Sequence, residues 1–246
     1  MKPIDFPVIN FFGGPGAGKS TAAAGLFYEL KKRWVSAELV TEFAKELVWS
    51  DSAHLLSQQN YVFANQEHRL NRLENKVDVA ITDSPLLLSA FYAPESYPLS
   101  FKQSVFDFFQ LYRNINIFVE RSHQYAEEGR LQNQEEADAL SDSMKRFLLD
   151  NGIPFYIVTA NDANPSFLCH WLHESKLIRF PAHFRPFSDS EVPPPGWIQP
   201  ALEQGFDGEG LPIAHAAAVG RRYVPDGVRT KGESSSEKKS LQDASE

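Results

Sequence analysis

The chain has 246 residues, 42% of them hydrophobic and 23% charged, with a formal net charge of -8. That is enough for one α/β domain of about 150–200 residues plus an extension, and it excludes wholesale disorder. The acidity disfavours a non-specific grip on DNA or anionic membrane, and a single cysteine, Cys169, excludes an intramolecular disulfide.

The first element is an apolar run over 6–12 that ends at glycines, the pattern of a buried strand. Next comes GGPGAGKST, residues 13–21, in which Gly13, Gly18, Lys19 and Ser20 fit G-x-x-x-x-G-K-[ST]. A helix follows over 20–33, with Leu26, Leu30 and Trp34 on one side. A strand, a glycine-rich turn and a helix N-terminus make a cradle for phosphate, because the backbone N–H groups and the helix dipole both favour an anion. The binding segment is Gly13, Gly14, Pro15, Gly16, Ala17, Gly18, Lys19, Ser20 and Thr21. Lys19 is expected on the β- and γ-phosphates, and the Ser20 hydroxyl on Mg²⁺. The donor is expected to be ATP, with GTP left open.

A second strand is predicted over 35–41 and a short helix over 42–49, with Glu42 at their junction. A longer helix starts at Ser52, with Leu55, Leu56, Tyr61, Val62, Leu70 and Leu73 inward. Gln66 and Arg69, on adjoining turns, are candidates for the acceptor side. The third strand, VDVAIT, ends at Asp83, where a metal-side carboxylate is expected. Asp83-Ser84-Pro85 also reads as a helix N-cap. Phe101, Val105, Phe108 and Phe109 fall at helical spacing within 99–111 and read as core. A fourth strand covers 115–119, and a polar segment over 120–131 reads as a lid with Arg121, Arg130 and a hinge at Gly129. A helix over 134–150 and a fifth strand over 153–159 complete the alternation. Cys169, His170 and His173 read as packing, and Trp34, Trp49 and Trp171 as core or interface.

Strands alternating with helices predict a three-layer α/β P-loop NTPase domain with a five-stranded parallel sheet, over residues 1–175. Residues 176–229, rich in proline and aromatics, read as an irregular C-terminal arm, and 230–246 as a disordered tail. The N-terminus lacks a signal-peptide pattern, and no stretch approaches the length of a membrane span. A cytoplasmic protein is expected (host cytoplasm if viral), with no membrane partner.

Three uses of the triphosphate compete. A GTPase switch needs a guanine-reading N-K-x-D after the metal-side acid, but Asn75-Lys76-Val77-Asp78 precedes it. An ATPase needs a water-activating acid beside Asp83, and the neighbour is Ser84. A kinase needs a base, an acceptor pocket and an arginine-bearing lid. Glu42, Asp83 and Arg130 suit those roles, so phosphoryl transfer to a hydroxyl is the leading expectation. A P-loop ATPase or a nucleotide-gated binding module is the alternative.

GGPGAGKST, TEFAKELV, FANQEHRL, ITDSPLLLSAFY and the EEGR segment, in that order, resemble P-loop nucleoside and nucleotide kinases. The likeness is to the nicotinamide-riboside-kinase-like group and to related bacteriophage kinases, and it spans residues 6–160. It implies phosphate and Mg²⁺ roles for Lys19 and Ser20, a catalytic carboxylate at Asp83, an acid near the acceptor at Glu42 and a lid arginine at Arg130. It also implies a nucleoside-like acceptor. Some phage kinases of this type are thought to phosphorylate 5-hydroxymethyluracil within DNA, so modified DNA is a candidate partner. The arm, with Arg179, Arg185, Arg221, Arg222, Phe184 and Trp197, is then expected to reach a strand and stack on its bases. Lys45 stands where the pattern has arginine, and Ser84 where a second acid is expected.

Overall fold

A computed structural model describes residues 4–121, 134–159 and 164–201. β1 (Pro7–Phe12) is buried at every residue, as a continuous apolar run requires of a central strand. It pairs in parallel with β3 (Val79–Thr82) on one side and β4 (Arg113–Glu120) on the other. β2 (Ala37–Val40) continues the sheet beyond β3, and β5 (Tyr156–Thr159) beyond β4, both parallel. These are the five parallel strands expected. A sixth, β6 (Gln199–Pro200), comes from the arm and pairs antiparallel with β5, giving the order β2-β3-β1-β4-β5-β6. Two residues that include a proline carry no strand pattern in the sequence.

Helices cover both faces. α1 (Lys19–Lys32) and α7 (Pro165–Glu174) enclose one core cluster with Ile9, Phe11, Ile81 and Ile117. On the other face α3 (Gln59–Asn71), α4 (Leu88–Phe91), α5 (Leu99–Phe109) and α6 (Gln134–Asp150) pack over Val8, Phe12, Ala80 and Phe118. α2 (Phe43–Trp49) closes a small third cluster with Val62 of α3. Because β1 lies between β3 and β4, the crevice beyond its C-terminal end is the switch point of the sheet, where α/β folds bind ligands.

One buried polar network crosses the apolar sheet. The Asn10 amide donates to Asn114 at 2.9 Å and to Asn116 at 3.0 Å, and Asn116 donates to the Pro154 carbonyl at 2.9 Å. A one-residue slip of β4 against β1 strands these groups unpaired, so the ladder fixes their register.

Element boundaries differ from expectation where local polar bonds intervene. The helix predicted from Ser52 breaks into a 3₁₀ turn (Ala53–Ser57) and α3. Ser57 donates to the His54 carbonyl and Gln59 to the Leu56 carbonyl, so side chains take the acceptors a continuous helix needs. β5 starts only at Tyr156, after a proline that brings no N–H to the ladder. Asp83 is not a helix cap, since α4 begins at Leu88 with Leu87 at its N-cap. Trp171 stacks edge-on against Tyr156, whereas Trp34 and Trp49 are 70% and 79% exposed and stand outside the core.

The described part of the arm folds back onto the domain. Phe180, Phe184 and Phe187 stack on His173, Phe187 also on His170, and Trp197 on Phe167. His170 and His173 are thus packing residues. Phe184 and Trp197, expected to reach a nucleic-acid strand, are engaged by α7, which corrects that reading. Arg33, fully buried, joins Glu29 and donates to Glu191 at 2.6 Å while lying over the Phe187 ring. Arg130 with lid residues 122–131, arm residues 202–229 with Arg221 and Arg222, and the tail 230–246 lie outside the described residues.

Candidate active site

The cradle forms as its sequence dictates. Gly13 has φ 140°, and a Cβ there meets the Val119 carbonyl oxygen at 2.5 Å, so only glycine lets the loop pass under β4. Gly18, φ 87°, is the N-cap of α1, and Lys19, Ser20 and Thr21 form its first turn. The Lys19 ammonium donates to the carbonyls of Gly13 at 2.7 Å and Gly14 at 3.0 Å, bridging the mouth of the loop. Arg121, at the end of β4, donates to the Pro15 carbonyl and pairs with Asp138 of α6. A cavity of about 250 Å³ opens between Gly14, Pro15 and Ala17 of the loop and Ala137, Ser141 and Lys145 of α6.

Direct pairing of β1 with β3 brings Asp83 to the cradle. Ser20 Oγ donates to Asp83 Oδ2 at 2.5 Å. Asp83 Oδ1 is buried and has no hydrogen-bond partner among the described residues. A hydroxyl beside a carboxylate with one spare buried oxygen suits Mg²⁺, a hard cation that takes few protein ligands and fills its shell with water and phosphate oxygens. Among the described residues no group of three or more His, Cys, Asp or Glu side chains is placed to hold a metal. The Ser20–Asp83 pair fits a cation that shares its shell with phosphate better than a closed protein cage.

Glu42 is the second acid. It occupies the N-cap position of α2, yet its side chain makes no capping bond, so the carboxylate is not consumed by the helix. Burial pushes its pKa up; the Lys19 and Lys45 ammonium groups pull it down, and the Asp83 carboxylate pushes it up further. That coupling to both Lys19 and Asp83 sets Glu42 in the field of the cradle. Tyr92, just past α4, is 45% exposed; desolvation, then the Glu42 carboxylate, raises its phenol to about 12. No periodicity in the sequence singles out Tyr92.

Gln66 and Arg69, expected on the acceptor side, instead hold the protein. The Phe43 N–H donates to Gln66 Oε1 at 3.0 Å. Arg69 donates to the Thr41 carbonyl at 3.3 Å and to Glu46 at 2.5 Å, with its guanidinium over the Phe43 ring. The Arg69 bond holds Glu46 below the usual carboxylate range. Lys45 is exposed. Asn75 to Asp78 line a separate 660 Å³ cavity with Asp5 and Arg113, at the N-terminal ends of the strands and away from the cradle.

The family model described as "AAA domain" matches residues 8–164, more than half of the chain. The chain belongs to this family. Its matched span runs from β1 past β5 and contains the cradle, Glu42 and Asp83. No curated protein matches by sequence. Among solved structures, the NadR protein in complex with NR is similar in fold, with a TM-score of 0.50 and 13% identity. The match covers 72% of this chain and 53% of that one, so the chain spans about half the length of NadR. A deoxyadenosine kinase from M. mycoides, solved with dCMP and dCDP, matches with a TM-score of 0.45 and 19% identity, covering 68% of this chain and 99% of that one. The chain thus has an α/β P-loop fold similar to that of NadR, and no helix among its described residues is long and apolar enough to cross a membrane.

Proposed function

We propose that the protein is an ATP-dependent kinase that transfers the γ-phosphoryl group to a hydroxyl of a nucleoside-type acceptor. The observation that carries this reading is Glu42: a second carboxylate, desolvated and unused by its helix, in the field of Lys19 and Asp83. A half-buried carboxylate beside the cradle suits a base for an acceptor hydroxyl, whereas an ATPase needs its water-activating acid next to Asp83, where Ser84 stands.

In the proposed reaction the acceptor O–H gives its proton to Glu42 as its oxygen bonds to the γ-phosphorus. The bond from that phosphorus to the bridging oxygen breaks, and ADP leaves with the electron pair. Glu42 then returns the proton to solvent. Lys19 and the loop N–H groups hold the phosphate charge, leaving the two loop carbonyls for the ligand. Mg²⁺, when held by Ser20 and Asp83, neutralises charge on the phosphates. Arg130 is proposed as the lid arginine, with Arg121 at the base of the lid.

The NadR protein, similar in fold, was solved in complex with NR, which supports a small-molecule acceptor for this fold. Within the nucleoside-type class the narrower candidate is the hydroxyl of 5-hydroxymethyluracil in phage DNA, motivated by the motif resemblance. Labelled ATP offered with free nucleosides, nucleotides and hydroxymethylated duplex DNA tests both levels. Label on a nucleoside or nucleotide supports the class, label on duplex supports the narrower acceptor, and label on none refutes the kinase. The description AAA domain favours an ATPase as the second reading.

A further inference from the structure

Glu42 and Asp83 come from different strand ends and have no direct bond to each other. What holds them in one frame is a side chain from α3. Gln66 is 3% exposed. Its Oε1 accepts from the Phe43 N–H at 3.0 Å, one residue after Glu42. Its Nε2 reaches the Thr41 carbonyl, one residue before Glu42, and Thr82 Oγ1, one residue before Asp83, both at 3.4 Å. Thr82 Oγ1 in turn accepts from the Ser84 N–H at 3.0 Å, one residue after Asp83. One amide therefore grips the backbone on both sides of Glu42 and, through Thr82, on both sides of Asp83.

Three features separate this from ordinary packing. A buried amide is costly unless both ends are satisfied, and here both ends are spent on the two segments that carry the acids. Glu42 makes no capping bond and β2 is a four-residue edge strand, so the β2–α2 turn takes its fixed points from α3 and the Phe43 cluster. Arg69, one turn on, holds the Thr41 carbonyl from the exposed side, so α3 clasps the turn from two directions.

We propose that Gln66 is a positioning residue that sets the separation of the Glu42 and Asp83 carboxylates by tying the β2–α2 turn to the end of β3. The proposal rests on the kinase reading for its catalytic consequence, and on the hydrogen bonds alone for its structural one. It assigns the buried amide of α3 to the enzyme's own frame, so reading of the acceptor falls to other groups.

The test is Gln66→Met, which keeps length and apolar volume and removes every bond. Thr82→Val is the companion variant; it removes the Asp83 half of the tie without touching α3. Three quantities are read for each: kcat, nucleotide affinity, and amide hydrogen exchange at Phe43 and along the cradle. In Gln66→Met, kcat falls about 10–100-fold, the loss typical of a misplaced or unsupported catalytic group. Nucleotide affinity stays within about twofold, because the phosphate-loop backbone and Lys19 have no bond to Gln66. Exchange at the Phe43 amide speeds up, while that of the Gly13–Ser20 amides does not. In Thr82→Val kcat falls less, again at constant nucleotide affinity.

An unchanged kcat in Gln66→Met overturns the proposal, and so does a loss matched by equal losses of nucleotide affinity and cradle protection. If Gln66→Met does not fold, Thr82→Val decides alone, and wild-type kcat in that variant overturns it. If the wild-type protein phosphorylates no acceptor, the kinase reading fails. The exchange measurement then still judges the tie: unchanged Phe43 exchange in Gln66→Met removes it.

Discussion

Glu42 is held at a cost to the folded state. Its pKa is raised by burial, so the folded protein binds a proton there more readily than the unfolded chain does. Stability from this residue is therefore present at low pH and is lost as pH rises through the raised value. Glu42→Gln is predicted to raise the melting temperature at pH 7, with the gain shrinking as pH falls toward 4. The same variant loses its general base, so kcat falls about 10²–10⁴-fold while nucleotide affinity is retained. The acid limb of the wild-type kcat/KM profile, which reports the free enzyme, lies above the ordinary value of 4.5, because only ionised Glu42 accepts the proton. A lower melting temperature together with full activity in Glu42→Gln refutes its assignment.

Lys19 sets the other test at this scale. Lys19→Ala leaves the core clusters intact, since Lys19 belongs to none of them and its ammonium lies at the loop carbonyls of Gly13 and Gly14. Phosphotransfer falls by at least about 10²–10³-fold in this variant, the loss expected when a charge stabiliser is removed from the transition state. Near-normal turnover in a folded Lys19→Ala protein contradicts the cradle assignment.

At the scale of elements, the arm is fastened by its aromatic residues, whose need for burial is plain in the sequence, and by an ionic contact between Arg33 and Glu191 that the sequence does not advertise. The Ser188 backbone N–H, then the Arg33 guanidinium and the Ser188 hydroxyl, hold Glu191 down at about 2. Arg33 is buried without exposure, so removing Glu191 leaves a buried cation short of one partner. Glu191→Ala is predicted to cost about 3 kcal/mol, and roughly 10 °C of melting temperature. Because the folded pKa lies below the unfolded one, this stability is present above the ordinary carboxylate range and is lost as pH falls toward 2. The gap between wild type and variant therefore narrows in acid. An arm that merely hangs from the domain shows no change in melting temperature.

Elements were legible where apolar periodicity ran uninterrupted. β1, α1 and α6 lie within a residue of their predicted bounds, because their burial is written in the residue pattern. Bounds moved where a polar side chain rewired the backbone, as at Ser57 and Gln59, or where a buried asparagine extended a strand. β4 begins at Arg113 instead of residue 115, since Asn114 is held by Asn10 across the strand pair. The Asn10–Asn114 bond joins residues 104 positions apart, and no local window contains it.

For the whole molecule, the order of strands, helices and phosphate loop was readable because each unit carries its own signal. The pairing of Ser20 with Asp83 followed from that order, since a strand-end acid beside β1 has few other places to go. The roles of Gln66, Tyr92 and Arg33 were not readable, because each depends on which distant segment lies opposite. Gln66 looked like an acceptor group by its helix position, and its partners turned out to be the turn at Glu42. Local sequence thus gives the phosphate loop, and tertiary contacts give the setting of Glu42.

The account stands on one claim: the γ-phosphoryl group goes to an acceptor hydroxyl and not to water. Steady-state ADP release, measured with and without a nucleoside-type acceptor at saturating Mg²⁺ and ATP, tests it most directly. The account predicts little ADP without acceptor, a rise of at least about tenfold with the right one, and loss of that rise in Glu42→Gln. ADP release that is equally fast without acceptor and indifferent to Glu42→Gln contradicts it.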